Sequence, residues 1–136
     1  RLCACMNILD ENIRADQREV LRRYRIATRQ IGDDIAQKGI KDQAIIPFLH
    51  QLRRPTFFTR DRDFHDPRLC HAAYCLVWLD VDKNQVGDYI RRVLRHPRLN
   101  TQAKRMGTVV RVSSAGLHIW RRRGEEEAAS WPGLSL

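Results

Sequence analysis

The stretch Thr56-Phe57-Phe58-Thr59-Arg60-Asp61-Arg62-Asp63-Phe64 constrains this chain more than any other. A β-branched and aromatic run stops abruptly in two aspartates one residue apart, which predicts a short buried strand delivering carboxylates at its C-terminal end. In open α/β sheets the binding crevice lies outside the carboxyl ends of the strands. A second run of this kind, Met6-Asn7-Ile8-Leu9, ends in Asp10-Glu11. Two strands that both end in acids would bring those acids to one rim if the strands lie side by side.

The rest of the chain suits such a sheet. Asn12 to Arg23 carries Ile13, Val20 and Leu21 in an irregular helical stripe, and Tyr24 to Thr28 reads as a second short strand. Strand, helix, strand is the start of a parallel βαβ unit. Asp33 to Gly39 fits a single helical turn closed by glycine. From Asp42, an expected N-cap, Ala44, Ile45, Phe48, Leu49 and Leu52 share a helical face. Pro47 lies within that helix, where it should kink the segment and could shift Asp42 relative to the rim. A short, partly helical connection runs from His65 to Ala73. Tyr74 to Val81 is a near-continuous apolar run, as a parallel strand covered on both faces requires. Gln85 to Arg95 repeats apolar residues at helical spacing, and Leu99 to Arg105 adds a turn or two. Thr108 to Ser113 and Leu117 to Arg121 alternate apolar and polar around Ser114-Ala115-Gly116, a C-terminal β-hairpin. Residues 124–136 read as a flexible tail, and residues 1–5, ahead of Met6, as an upstream extension.

With 136 residues, 43% of them hydrophobic and 30% charged, the chain fits one globular domain and neither a disordered nor a membrane-spanning protein. No apolar run approaches the roughly 20 residues of a transmembrane helix, and the first residues make no signal peptide, so a cytoplasmic location is expected. The net charge of +9, mostly arginine, favours polyanionic partners, nucleic acid above all; an arginine-rich solvated surface is the bland alternative. Cys3, Cys5, Cys70 and Cys75 imply no disulfide framework in a reducing compartment. A zinc site built from Cys70, Cys75, His65 and His71 lacks paired short-spaced ligands, and plain buried cysteines fit better.

Asp61 and Asp63, two apart, can share one face of a strand or converge from a turn. Crowded with Asp10 and Glu11, they could not all ionise without a cation. Magnesium or manganese would resolve that conflict and promote attack at phosphorus. The competing account is a solvated, salt-bridged turn with aspartates capping the next segment. His65 stands where a proton shuttle could reach the acids, though a surface role is commoner. Trp78 and Trp120 sit in apolar strand patterns and are expected to pack rather than to stack on bases.

Three motifs add a resemblance: LDEN at Leu9 to Asn12, GDDIAQKGIKDQAI from Gly32 to Ile45, and TRDRDF at Thr59 to Phe64. In this order they resemble the PIN-like family, specifically its small bacterial members that serve as the toxin of a toxin–antitoxin pair. The resemblance runs from Met6 to about Arg122, so residues 6–123 are taken as a PIN-like domain. It implies a central, mostly parallel sheet flanked by helices and a magnesium- or manganese-dependent endoribonuclease. It further implies that Asp10, Asp42, Asp61 and Asp63 hold the ion and act in catalysis, with Glu11 and Asn12 in support. Arg60 and Arg62 then become candidates for RNA phosphate contact, against a plain charge-screening role. RNA, a cognate antitoxin and a second copy of the chain are the partners it implies. The alternative is a catalytically weak or inactive protein of the same fold that binds nucleic acid or docks an antitoxin.

Overall fold

The computed structural model describes residues 6–132. Its centre is β3, Pro55–Thr59, in which all five residues are buried. Phe57 and Phe58 point to opposite sides of the sheet and into two separate apolar clusters. β1, Met6–Leu9, lies parallel to β3 and repeats this alternation with Ile8 and Leu9.

Seven strands form one sheet in the order β2-β1-β3-β4-β5-β6-β7. β2 is Arg29–Gln30, β4 Cys75–Leu79, β5 Thr108–Ser113, β6 Gly116–Arg121 and β7 Glu126–Ala129. The first five strands in chain order run parallel, and β6 and β7 are antiparallel to their neighbours. The chain leaves β1 outward to β2 and returns to the other side of β1 as β3. Strand order therefore reverses between β1 and β3, the place where α/β sheets open a crevice.

Helices cover both faces. α1, Ala15–Arg23, and α3, Val86–Arg95, lie on the face that holds Leu9, Phe58 and Val77. They meet closely at Gly87, where a Cβ would stand 2.7 Å from Val20 Cγ1. The Gly87 amide donates to the Gln17 side chain across this contact. α2, Asp42–His50, seals the opposite face with Ile45 and Leu49 against Ile8, Phe57 and Leu76. A one-turn helix α4, Gln102–Arg105, leads into β5. Among the described residues no helix is long and apolar enough to cross a membrane.

Several local expectations need correction. Tyr24 to Thr28 is not a strand. α1 ends in a left-handed Arg25 (φ 61°), and the Ile26 amide returns to the Leu21 carbonyl, so these residues close the helix. Pairing with β1 begins only at Arg29. Asp33 to Gly39 is not a helical turn either. Three successive amides, Asp33 to Ile35, converge on the Gln30 carbonyl, and Arg18 draws the Asp33 and Asp34 carboxylates to itself. Asp42 is the first residue of α2 rather than its cap, which is Lys41. Pro47 sits half-way along α2, and the helix continues past it to His50.

The C-terminal stretch is not a loose tail from residue 124. Glu126–Ala129 pairs with β6, and Glu127 receives Arg98 and Arg121. Trp131 is buried against Tyr89 and His96, and its indole donates to the Ser113 carbonyl at 2.8 Å. β7 passes so close to the β5–β6 turn that a Cβ at Gly116 would meet the Ala129 carbonyl oxygen at 2.3 Å. Residues 1–5, read from sequence as an extension, lie outside the described residues, as do residues 133–136.

Candidate acidic metal centre

Asp10 follows β1 and extends its ladder, its amide donating to the Phe58 carbonyl. Its carboxylate is buried and accepts the Thr59 hydroxyl at 2.6 Å. Thr59, the last residue of β3, also accepts the Asp61 amide through the same oxygen at 3.0 Å. One buried threonine thus ties the end of β1 to the loop that carries Asp61. Burial raises the Asp10 carboxyl above its ordinary value, offset by the Thr59 and Glu11 hydrogen bonds; the charges of Asp61 and Glu11 raise it further.

After β3 the chain turns at once. Asp61 caps a 3-10 turn over Arg62–Phe64 by accepting the Asp63 amide at 2.9 Å. Phe64 drops into the core edge-on to Phe57, 5.2 Å between ring centres. That anchor holds Asp61 and Asp63 outward on the same turn. Asp42 arrives from the start of α2 on the other side of the crevice. Oxygens of Asp42, Asp61 and Asp63 all lie within 4.8 Å of one another, with Asp61 half-buried and the other two exposed. Among the described residues no other trio of histidine, cysteine or acid ligands gathers this way.

The Asp42 carboxyl is raised above its ordinary value. Desolvation contributes most, followed by a hydrogen bond with Asp61 and then the charges of Asp61, Asp10 and Asp63. Carboxylates gathered this closely repel one another. A divalent cation would relieve that repulsion, since oxygen ligands with retained water suit magnesium and manganese. The donor set therefore fits such an ion. Asp10 stands outside the tight trio but close enough for its charge to act on Asp42.

Glu11 accepts the Gly39 amide at 3.1 and 3.3 Å and so fastens the loop that leads to Asp42. Asn12 is exposed at the edge of the site. Arg60 reaches the Val81 carbonyl at 3.3 Å, and Arg62, between the two aspartates, stands 6.0 Å from the centre of the Trp78 ring. His65 stacks on Trp120, 4.1 Å between ring centres. Cys75 is fully buried, and Cys70 donates to the Trp120 carbonyl; neither joins a ligand cluster.

Sequence reasoning missed two contributors. Thr59 bridges two acids, and Gln30 is a buried side chain whose amide donates to the Asp10, Glu11 and Ile13 carbonyls. A threonine as the last buried residue before TRDRDF was the available signal for the first. Gln30 carried none, because β2 is only two residues long.

A cavity of about 420 Å³, lined by Arg91, Arg92, Arg95 and Trp131, lies between α3 and the residues that follow β7. The acids lie apart from it, with Asp42 and Asp63 exposed and Asp61 half-buried. Compared with family models, with curated proteins and with solved structures, the chain matches none.

Proposed function

We propose that the chain is a PIN-like, magnesium- or manganese-dependent endoribonuclease, the toxin of a toxin–antitoxin pair. One juxtaposition carries the reading: three carboxylates from two distant segments converge within 4.8 Å, beside a fourth at the end of β1. Two acids, Asp10 and Asp61, follow the strands between which the order reverses. A bound divalent ion supplies electrostatic stabilisation at the phosphoryl oxygens and makes water a competent nucleophile near neutral pH.

Asp42, Asp61 and Asp63 hold the ion through hard oxygen donors, and Asp10 adds its charge from behind Thr59. Glu11, through the Gly39 amide, positions the loop that carries Asp42, and Asn12 supports the site from its edge. Arg60 and Arg62 line the outer rim, where guanidinium groups neutralise RNA phosphates. The excess of positive charge, +9 over the chain, draws the polyanion towards a negative pocket. An acidic antitoxin covering the same basic rim would suppress the activity, and pairing of two copies is compatible with it.

The test is cleavage of a labelled RNA with manganese, with chelator, and with the Asp61→Asn variant. Cleavage that requires manganese and disappears in the variant supports the reading. RNA binding that survives chelator with no cleavage under any condition favours the second reading, an inactive nucleic-acid-binding or antitoxin-docking protein of the same fold.

A further inference from the structure

The connection from β3 to β4 contains no helix, only 3-10 turns at Arg62–Phe64 and Pro67–Leu69. Beyond β4, the sheet face that α2 covers elsewhere therefore carries only this thin strap. Cross-strand register aligns Trp78, Arg111 and His118 in one row over β4, β5 and β6. Trp120 stands in the next row of that face, opposite Val109. Trp120 packs against the core with one ring face under His65, as a strand pattern predicts, whereas Trp78 is only partly buried and keeps an accessible edge on this face. The Arg111 guanidinium lies 5.3 Å from the Trp78 ring centre, and the His118 ring is 5.1 Å from that of Trp120.

We propose that this open face is a stacking platform for single-stranded RNA that leads the strand to the acidic rim. The choice of RNA rests on the ribonuclease reading; the platform itself rests on the arrangement of these side chains.

Aromatic rings on an exposed sheet, interleaved with arginine, are what unpaired bases and their phosphates require. The structure already holds a planar ring in the manner of a base: His65 lies on Trp120 with 18° between planes. Arg62 connects the platform to the chemistry, since it sits between Asp61 and Asp63 and faces Trp78. Positive charge along this face comes from Arg62 and Arg122 beside the Arg111–Asp80 pair, and Glu126 is hydrogen-bonded to His118. Shallow cavities of about 400 and 320 Å³ flank the row along β6, one bordered by Arg111 and His118, the other by Arg68, Trp120 and Arg122. A duplex would bury its bases from these rings, so the surface selects single strands.

The experiment measures anisotropy of a fluorescein-labelled 12-nucleotide RNA (length on the scale of about 4–16 nucleotides per stacking module) with the full chain in chelator. The same sequence as duplex RNA and as single-stranded DNA provides the comparison. Expected are preference for single-stranded RNA over duplex, quenching of tryptophan fluorescence, and roughly five- to hundred-fold weaker binding in Trp78→Leu. His118→Ala, at a partly exposed position, should weaken binding with the protein still folded in a thermal melt. Arg111→Gln should lower the salt slope by about 0.7, the value for one lost phosphate contact on a single strand. Equal affinity for duplex, tighter binding of DNA, or unchanged affinity in both Trp78→Leu and His118→Ala overturns the proposal. So does sedimentation showing that the face instead joins two copies, with dimers lost in Trp78→Leu. Absent manganese-dependent cleavage with this binding pattern intact would refute the ribonuclease alone; cleavage with unaffected binding in the variants would refute the platform alone.

Discussion

Replacing Asp61 with asparagine should make the metal-free protein more stable while removing its response to manganese. Two unit charges 4.8 Å apart repel by about 0.9 kcal/mol in bulk water and by about 3.5 kcal/mol at an effective dielectric of 20. Asp42 and Asp63 are exposed, so solvent screening puts each pair near the lower figure. Asp61 faces both, and neutralising it relieves on the order of 2 kcal/mol. For a domain of this size that is a rise in melting temperature of roughly 6 °C. The asparagine oxygen still accepts the Asp63 amide that Asp61 now holds at 2.9 Å, so the turn survives. Its amide can also donate to the Asp42 carboxylate.

The sign with pH follows from Asp42. Its carboxyl is raised in the folded state, so in that window the folded chain binds more protons than the unfolded one. Stability therefore falls as pH rises through the raised value, and the advantage of the variant shrinks as pH drops towards 3.8. Manganese at a hundred times its dissociation constant should add about 2.7 kcal/mol to the wild type and little to the variant. Thermal melts at pH 7, with chelator and with manganese, read both effects. A variant that melts below the wild type in chelator, or that gains as much from manganese, refutes the reasoning.

Asp10→Asn and Asp63→Asn should each weaken manganese binding with the fold retained; calorimetry showing unchanged affinity in both would remove them from the site. His65 is pushed down to about 4 by burial, then by the charges of His118, Arg111 and Arg62, so it contributes stability above pH 6.5 that is lost as pH falls towards 4. Discounted for its partial exposure, this amounts to about 1–2 kcal/mol, and His65→Phe should flatten that part of the urea-stability profile against pH. Gly87→Ala places a methyl into Val20 and should cost about 1–3 kcal/mol in urea denaturation. Trp131→Ala should cost about 3 kcal/mol or more, a loss that no loose tail would produce.

The parallel centre was legible because its signals are local. Paired apolar runs such as Phe57-Phe58 and Ile8-Leu9 have one solution in a sheet covered on both sides, and each ends in acids. Asp61 and Asp63 could be placed because the run and its stop occupy consecutive residues. The contact between Asp42 and Asp61 came from the family resemblance, since 19 positions apart no periodicity links them. What stayed hidden depends on partners remote in sequence. Glu126 to Ala129 has little intrinsic strand preference and becomes a strand because β6 offers it an open edge. Trp78 reads as core in any strand pattern; its exposure follows from a missing helix elsewhere. Arg25 in a left-handed conformation, where glycine is usual, gave no warning that Tyr24 to Thr28 would close a helix.

That missing helix has a dynamic consequence. A helical crossover would fix its residues through a continuous hydrogen-bonded ladder, whereas residues 60–74 rely on isolated turn bonds such as Asp61 to the Asp63 amide and Asp66 to the Arg68 amide. Only Phe64 and Tyr74 bury deeply within this strap. Its amides should consequently exchange with solvent well before those of β3 and β4 on either side. Two carboxylates thus ride on a segment that opens more readily than the strands on either side of it, which lets their spacing adapt while the sheet beneath them stays in place.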